Sequence, residues 1–358
     1  MREARLRVAL VADSRHPIRE PFAGGLQSMT WHLARGLAAR GVDVTVCAAP
    51  GSDHGLGVRE LAVSPPRLSD QARADVSMQP TEWVEQHHAY LRLMLDLARD
   101  PGLTLVHNNS LHYLPVAMAD ALPMPLLTTL HTPPTPWLEP AIEQDVSSRS
   151  HFSAVSDFTA RQWAHVTTAT VVRNGIDTTH WPLGPGGEDL VWFGRIVPEK
   201  GVHLALDVAA RAGRRLLLAG PVADRDYWAE QVAPRLGPHA EYVGHLRQRE
   251  LARLVGRCGV ALVTPEWDEP YGLVAAEALS CGTPVVGFAR GGLPEVVDDT
   301  CAELVPAGDV EAAAEAVGRA WTLDRTAARQ RAVTACSVDA MVDSYLGLYA
   351  GLAGERAA

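Results

Sequence analysis

Two carboxylates eight positions apart, Glu269 and Glu277, stand in the run TPEWDEPYGLVAAEALSC (264–281). The first lies in a polar, proline-containing loop after a strand end. The second falls early in an alanine-rich helix. Between them come Tyr271, Gly272 and Leu273, where that helix begins. Their backbone N–H groups have no partner within the helix and sit at the positive end of its dipole. Such an end is a ready anion site. A carboxylate beside it accepts hydrogen bonds from vicinal hydroxyls, so the expected ligand is both anion and polyol, as a nucleotide sugar is.

Positive charge is supplied elsewhere. The chain has 31 arginines and a single lysine, Lys200. Where arginine serves for almost every cation, the surviving lysine marks a place that needs a compact ammonium. It lies five positions after Arg195 in WFGRIVPEKG (192–201), between a strand and a helix, with Gly194 allowing close backbone approach. Two fixed cations there would neutralise a diphosphate and stabilise it as a leaving group. YVGHL (242–246) puts Val243 at a strand end, where backbone groups can read a base edge. Gly291-Gly292 forms a second amide-rich turn.

In the first half, Gly24-Gly25 separates a strand from a helix. His131 follows the strand PLLTTL and could hydrogen-bond a sugar hydroxyl. His107, Asn108, Asn109 and His112 crowd another strand end, which suggests sugar or acceptor contacts. Ser156-Asp157 and the DxD-like Asp224-Arg225-Asp226 read as helix N-caps, the latter rather than a metal-bridging run.

These residues need strands that end together. Short continuous apolar runs such as LRVALVA (6–12) and LLLA (216–219) read as buried parallel strands. They alternate with amphipathic helices in two successive sets, which implies two doubly wound sheets. A strand near 59–63 is expected in the otherwise loop-rich stretch 48–80. Arg173–Asp189 holds six Gly or Pro residues without periodicity and reads as the connector. The expected domains are 1–173 and 174–336. A last helix in 337–358 should pack back on the first domain. Ligands in such sheets sit at the carboxyl ends of strands, so the two domains are expected to face a central cleft.

Composition excludes several partners. The net charge is −10, split as 15 basic and 17 acidic residues up to Arg173 and 17 and 25 beyond it. No basic run exists, so nucleic acid is not expected and docking to an anionic membrane has no support. No apolar stretch is long enough to span a bilayer. Five cysteines without C-x-x-C spacing suit reduced core thiols in a cytoplasmic protein.

Taken together, EPYGLVAAEALSCGTPVV with its E-x7-E pair, GRIVPEKG, RNGID, the first-half GG and HT resemble the retaining GT-B glycosyltransferases of family 4. The resemblance covers nearly the whole chain. It implies a GT-B fold, α/β, of two Rossmann-like domains. It implies hexosyl transfer from a nucleotide-diphosphate sugar held mainly by 174–336 to an acceptor held mainly by 1–173, without metal or other cofactor. UDP is the default nucleotide and GDP the second choice, and the near-neutral first half, which has no basic amphipathic helix, favours a small soluble acceptor. By matching motif, Arg195 and Lys200 would bind the diphosphate and Glu277 the ribose hydroxyls. Glu269 would lie by the donor sugar, and the Tyr271–Leu273 amides by sugar and phosphates. Gly24-Gly25 would approach the phosphates from the other domain, and His131 would contact the sugar. HNN at 107–109 departs from the family pattern, which leaves the acceptor open. A nucleotide-sugar epimerase, a phosphorylase or a non-catalytic binder on the same scaffold are the competing readings. Retention of both His131 and Glu269 weighs against the binder.

Overall fold

Runs of Val, Leu and Ala with no polar alternation can be satisfied only by strands covered on both faces. In the computed structural model, which describes residues 6–355 except 62, 65, 66 and 78, they form two parallel sheets. Each sheet belongs to its own compact unit.

The first unit holds β1 (Arg7–Val11), β2 (Asp43–Ala48), β3 (Val58–Glu60), β4 (Leu105–Asn108), β5 (Leu126–Leu130), β6 (Ser150–Ala154) and β7 (Ala169–Val171). They lie in the order β3-β2-β1-β4-β5-β6-β7, every pairing parallel. The strand expected near 59–63 is β3, three residues long; position 62 lies outside the described residues. Register places Val11 beside both Cys47 and Asn108, so β1, β2 and β4 end level.

The second unit holds β8 (Leu190–Phe193), β9 (Leu216–Ala219), β10 (Ala240–Tyr242), β11 (Val260–Val263), β12 (Val285–Phe288) and β13 (Ala302–Val305), in the order β10-β9-β8-β11-β12-β13, again all parallel. The order reverses beside β8, between β9 and β11. Such a switch point is where an open α/β sheet binds its ligand.

Two features depart from expectation. The Gly/Pro-rich stretch from Arg173 is no free tether: it is built into the second unit. Trp181 is 2% exposed, Gly184 N–H donates to Cys281 O at 3.0 Å, and Gly186 N–H to Gly256 O at 2.9 Å. A helix at Arg325–Ala335, unanticipated from sequence, closes this wall. Its arginines donate to backbone carbonyls of Gly256, Cys281, Trp181 and Ser280.

The final helix, Val338–Glu355, counts with the first unit from Val342 onward. Tyr345 and Tyr349 are fully buried there. Tyr349 Oη pairs with His107 Nδ1 at 2.6 Å, and His107 Nε2 with Thr129 Oγ1 at 2.7 Å. Thr129 Oγ1 also meets Ser153 Oγ and Tyr345 Oη, at 2.8 and 3.1 Å. A polar network this deep is tolerable only because its members satisfy one another. His107 is thus an anchor for the last helix rather than a ligand contact.

Candidate active site

In the second unit, Lys200 ends a short 3-10 turn, Pro198–Lys200, in the loop after β8. Glu269 lies in the loop after β11. Two hydrogen bonds fasten these loops together: Glu266 N–H donates to Glu199 O at 2.9 Å, and the Thr264 side-chain Oγ–H to Gly201 O at 2.9 Å. Gly201 makes the approach possible. Its φ is +61°, and a Cβ there would stand 1.9 Å from Thr264 O. The result is an ion pair between Lys200 Nζ and Glu269 Oε1, 69 residues apart and largely shielded, with side-chain exposures of 21% and 7%. Lys200 Nζ also lies 5.6 Å from the centre of the Trp267 ring. Burial and then the neighbouring Arg195 push the Lys200 ammonium down to about 8, opposed by Glu199. Arg195 itself is half-exposed, 3.8 Å from Glu199.

The Glu269 loop is held from several sides. Gly292 N–H donates to Glu269 O at 2.7 Å, and Arg290 Nε–H to Asp268 Oδ1 at 2.8 Å. Ser156 and Thr159 hydroxyls donate to Pro270 O at 2.6 and 3.2 Å. The Gly291-Gly292 turn is a bed for this loop: a Cβ on Gly291 would lie 2.2 Å from Glu269 O. Ser156 also caps its helix, accepting from Thr159 N–H at 3.0 Å, and Asp224 caps the next, accepting from Tyr227 N–H at 2.9 Å.

Gly272, with φ +111°, is the N-cap of the helix Leu273–Ser280. The Tyr271 ring is buried in the core, so only its backbone faces the site. Among the described residues, the backbone N–H groups of Tyr271, Gly272, Leu273 and Val274 have no hydrogen-bond partner. One turn further, Glu277 likewise pairs with nothing, and burial pushes its carboxyl up to about 8. Gly194, φ +150°, lies just after β8, its carbonyl packed against Gly220. Val243 N–H is already committed to Leu218 O at 2.9 Å, so only its carbonyl could meet a base.

In the first unit, Gly24 caps the helix Gly25–Ala39 in extended backbone, φ −175°. Its nearest neighbour would be 3.4 Å from an added Cβ, so nothing within the chain demands glycine there. His131 follows β5, and its Nε2 lies 3.0 Å from Asn109 Oδ1; burial holds its imidazole down at about 3, hence neutral. Asn109 is fully buried and its Nδ2 finds no partner among the described residues. Asn108 corrects the expectation: it is fully buried, and its Oδ1 accepts from the Ser110 amide and hydroxyl at 3.0 and 2.7 Å. It shapes the turn after β4 and has no oxygen left for an acceptor. His112 stays partly open, stacked on Tyr90 at 4.3 Å.

Residues 23–180 match the family described as Glycosyltransferase Family 4, and residues 180–334 match Glycosyl transferases group 1. Over 95% of its length the chain is 30% identical to D-inositol 3-phosphate glycosyltransferase of Mycobacterium marinum, covering 85% of that protein. The chain belongs to this glycosyltransferase family. As a family 4 glycosyltransferase it is also 29% identical to glycogen synthase of Mycobacterium tuberculosis, over 91% of the chain and 88% of that enzyme. The structure of Anabaena Alr3699/HepE in complex with UDP-glucose superposes with a TM-score of 0.75 at 17% identity, covering 97% of this chain and 100% of that one. That likeness is one of fold, and the fold is GT-B. Sequence reasoning found the lone lysine but not its pairing with Glu269, which depends on hydrogen bonds between distant loops.

Proposed function

We propose that this glycosyltransferase moves a hexosyl group from a nucleotide-diphosphate sugar to a hydroxyl of a small acceptor, with retention at the anomeric carbon. The observation that carries it is the open N-terminus of the helix Leu273–Ser280 beside the shielded Lys200–Glu269 pair. The unpartnered amides suit the phosphates and sugar hydroxyls. Lys200 and Arg195 suit the leaving diphosphate, whose growing charge they stabilise in a site already ordered. Glu277, without a hydrogen-bond partner among the described residues, suits the ribose hydroxyls. Glu269 orients Lys200 and lies by the sugar. UDP is the favoured base carrier, supported by the UDP-glucose complex of the Anabaena fold relative; GDP is the second choice.

In the step itself the bond from C1 to the phosphate oxygen breaks as the acceptor oxygen bonds to C1 from the same face. The acceptor proton passes to the departing phosphate. The two cations make a metal unnecessary in this scheme, so activity should survive EDTA.

The test uses purified protein and labelled UDP-sugars. Lys200→Ala should lower kcat/KM by several orders of magnitude with the fold intact by circular dichroism, and Lys200→Arg should rescue only in part. A Lys200→Ala enzyme within about threefold of wild type would remove the lysine from the mechanism.

A further inference from the structure

The helix Thr81–Ala98 of the first unit carries large rings that the core does not use. Trp83 is 43% exposed, and His87, four residues on and so on the same helix face, stacks on it with centroids 4.9 Å apart and planes at 18°. A second stack continues this one. His112 and Tyr113, in the segment after β4, lie 5.1 Å apart at 16°, and Tyr113 Oη reaches His87 Nδ1 at 3.2 Å. The stack is braced from beneath by Tyr90, 2% exposed, whose hydroxyl donates to Ala12 O at 3.0 Å and accepts from Ser14 N–H at 3.1 Å. The rings thus stand at the carboxyl ends of β1 and β4, where a parallel sheet presents its ligand-binding edge. Leu114 N–H donates to His112 Nδ1 at 3.2 Å, so the His112 proton sits on Nε2, a donor with no partner among the described residues.

We propose that Trp83, His87, His112 and Tyr113 form the surface that recognises the acceptor, and that it takes an uncharged polyhydroxylated ring such as a neutral sugar or cyclitol. The proposal rests on the transferase reading and names its acceptor class. A flat aromatic face covers the C–H face of a sugar ring, while ring nitrogens and a phenol take its hydroxyls. Burial holds both imidazoles below their ordinary value, His112 at about 4, so the stack is uncharged at neutral pH. The charges at its rim are mixed. Arg15 bonds Gln86 at 3.4 Å, Glu82 bonds Gln86 at 3.1 Å, and Asp13 bonds Arg15 N–H at 3.2 Å. The cation these contacts place there is Arg15, which acts on His112, and the carboxylates of Glu82 and Asp13 stand at the same rim.

The experiment is saturation-transfer NMR with methyl α-glucoside, myo-inositol and glucose 6-phosphate as probes, on wild type, Trp83→Ala and Trp83→Phe. Thermal shift by UDP is recorded on the same samples. Transfer from the protein to the neutral rings is expected in wild type, at least tenfold weaker in Trp83→Ala and largely restored in Trp83→Phe. The UDP shift should not change. Equal transfer in Trp83→Ala, no transfer to either neutral ring in wild type, or transfer only to glucose 6-phosphate would each overturn the assignment. A missing UDP shift in wild type would instead count against the UDP-linked donor reading, so the two failures are distinct.

Discussion

Glu277 is an ionisable group whose carboxyl has no hydrogen-bond or ion-pair partner among the described residues. Burial raises its carboxyl to about 8, against 4.5 for the free group. The sign follows: a folded-state value above the unfolded one means stability that is complete below about 4.5 and declines as pH rises through 8. Glu277→Gln removes that ionisation. The variant should therefore melt higher than wild type at pH 8–9, with the difference shrinking toward pH 5. If the carboxylate accepts ribose hydroxyls, the same variant should bind UDP at least tenfold more weakly by calorimetry. Higher stability with undiminished affinity would detach Glu277 from the nucleotide. Lys200 is the reverse case: its partner is present, and its charge is held in place by Glu269 rather than left waiting.

The elements that bring these residues together differ in how plainly the sequence shows them. The strands of both sheets were legible because parallel strands must be apolar throughout, and VALV (260–263) or LVWF (190–193) admits little else. The helix Arg325–Ala335 was hidden because its sequence, RTAARQRAVTA, lacks an apolar stripe: it packs through Ala328 and Ala332 and through arginines that reach carbonyls. Asn108 was misread for a similar reason, since a polar residue at a strand end serves a turn as readily as a ligand. The Lys200–Glu269 pairing depends on Gly201, whose role shows only once Thr264 lies beside it. Gly201→Ala places a methyl against Thr264 O in a left-handed conformation. It should cost at least about 1–2 kcal/mol by urea unfolding and lower kcat/KM more than stability loss alone explains. Wild-type activity in a destabilised Gly201→Ala would show that the loop link does not position the lysine.

At the scale of the whole molecule, acid acts through buried histidines. His107 and His131, both held at about 3, and His112, at about 4, keep neutral imidazoles in the first unit. Depressed folded values mean stability that is full above about 6.5 and is lost as pH falls toward 3. The carboxyl of Glu277 works the other way in the second unit. Melting followed from pH 7.5 to 4.5 should show a transition that moves down with acid; replacing His107 by Gln should flatten that slope, and an unchanged slope would exclude the buried imidazole as its cause. The last helix has a consequence for synthesis. From Val342 onward the chain contributes to the first unit, through Tyr345 and Tyr349 on His107 and Thr129. On the ribosome the first sheet can form early, but its buried His107 waits for its partner until Tyr349 has emerged, after every strand of the second unit. The unit begun first is completed last, so an interrupted translation product that retains every strand of both sheets still lacks the piece that seals the first one.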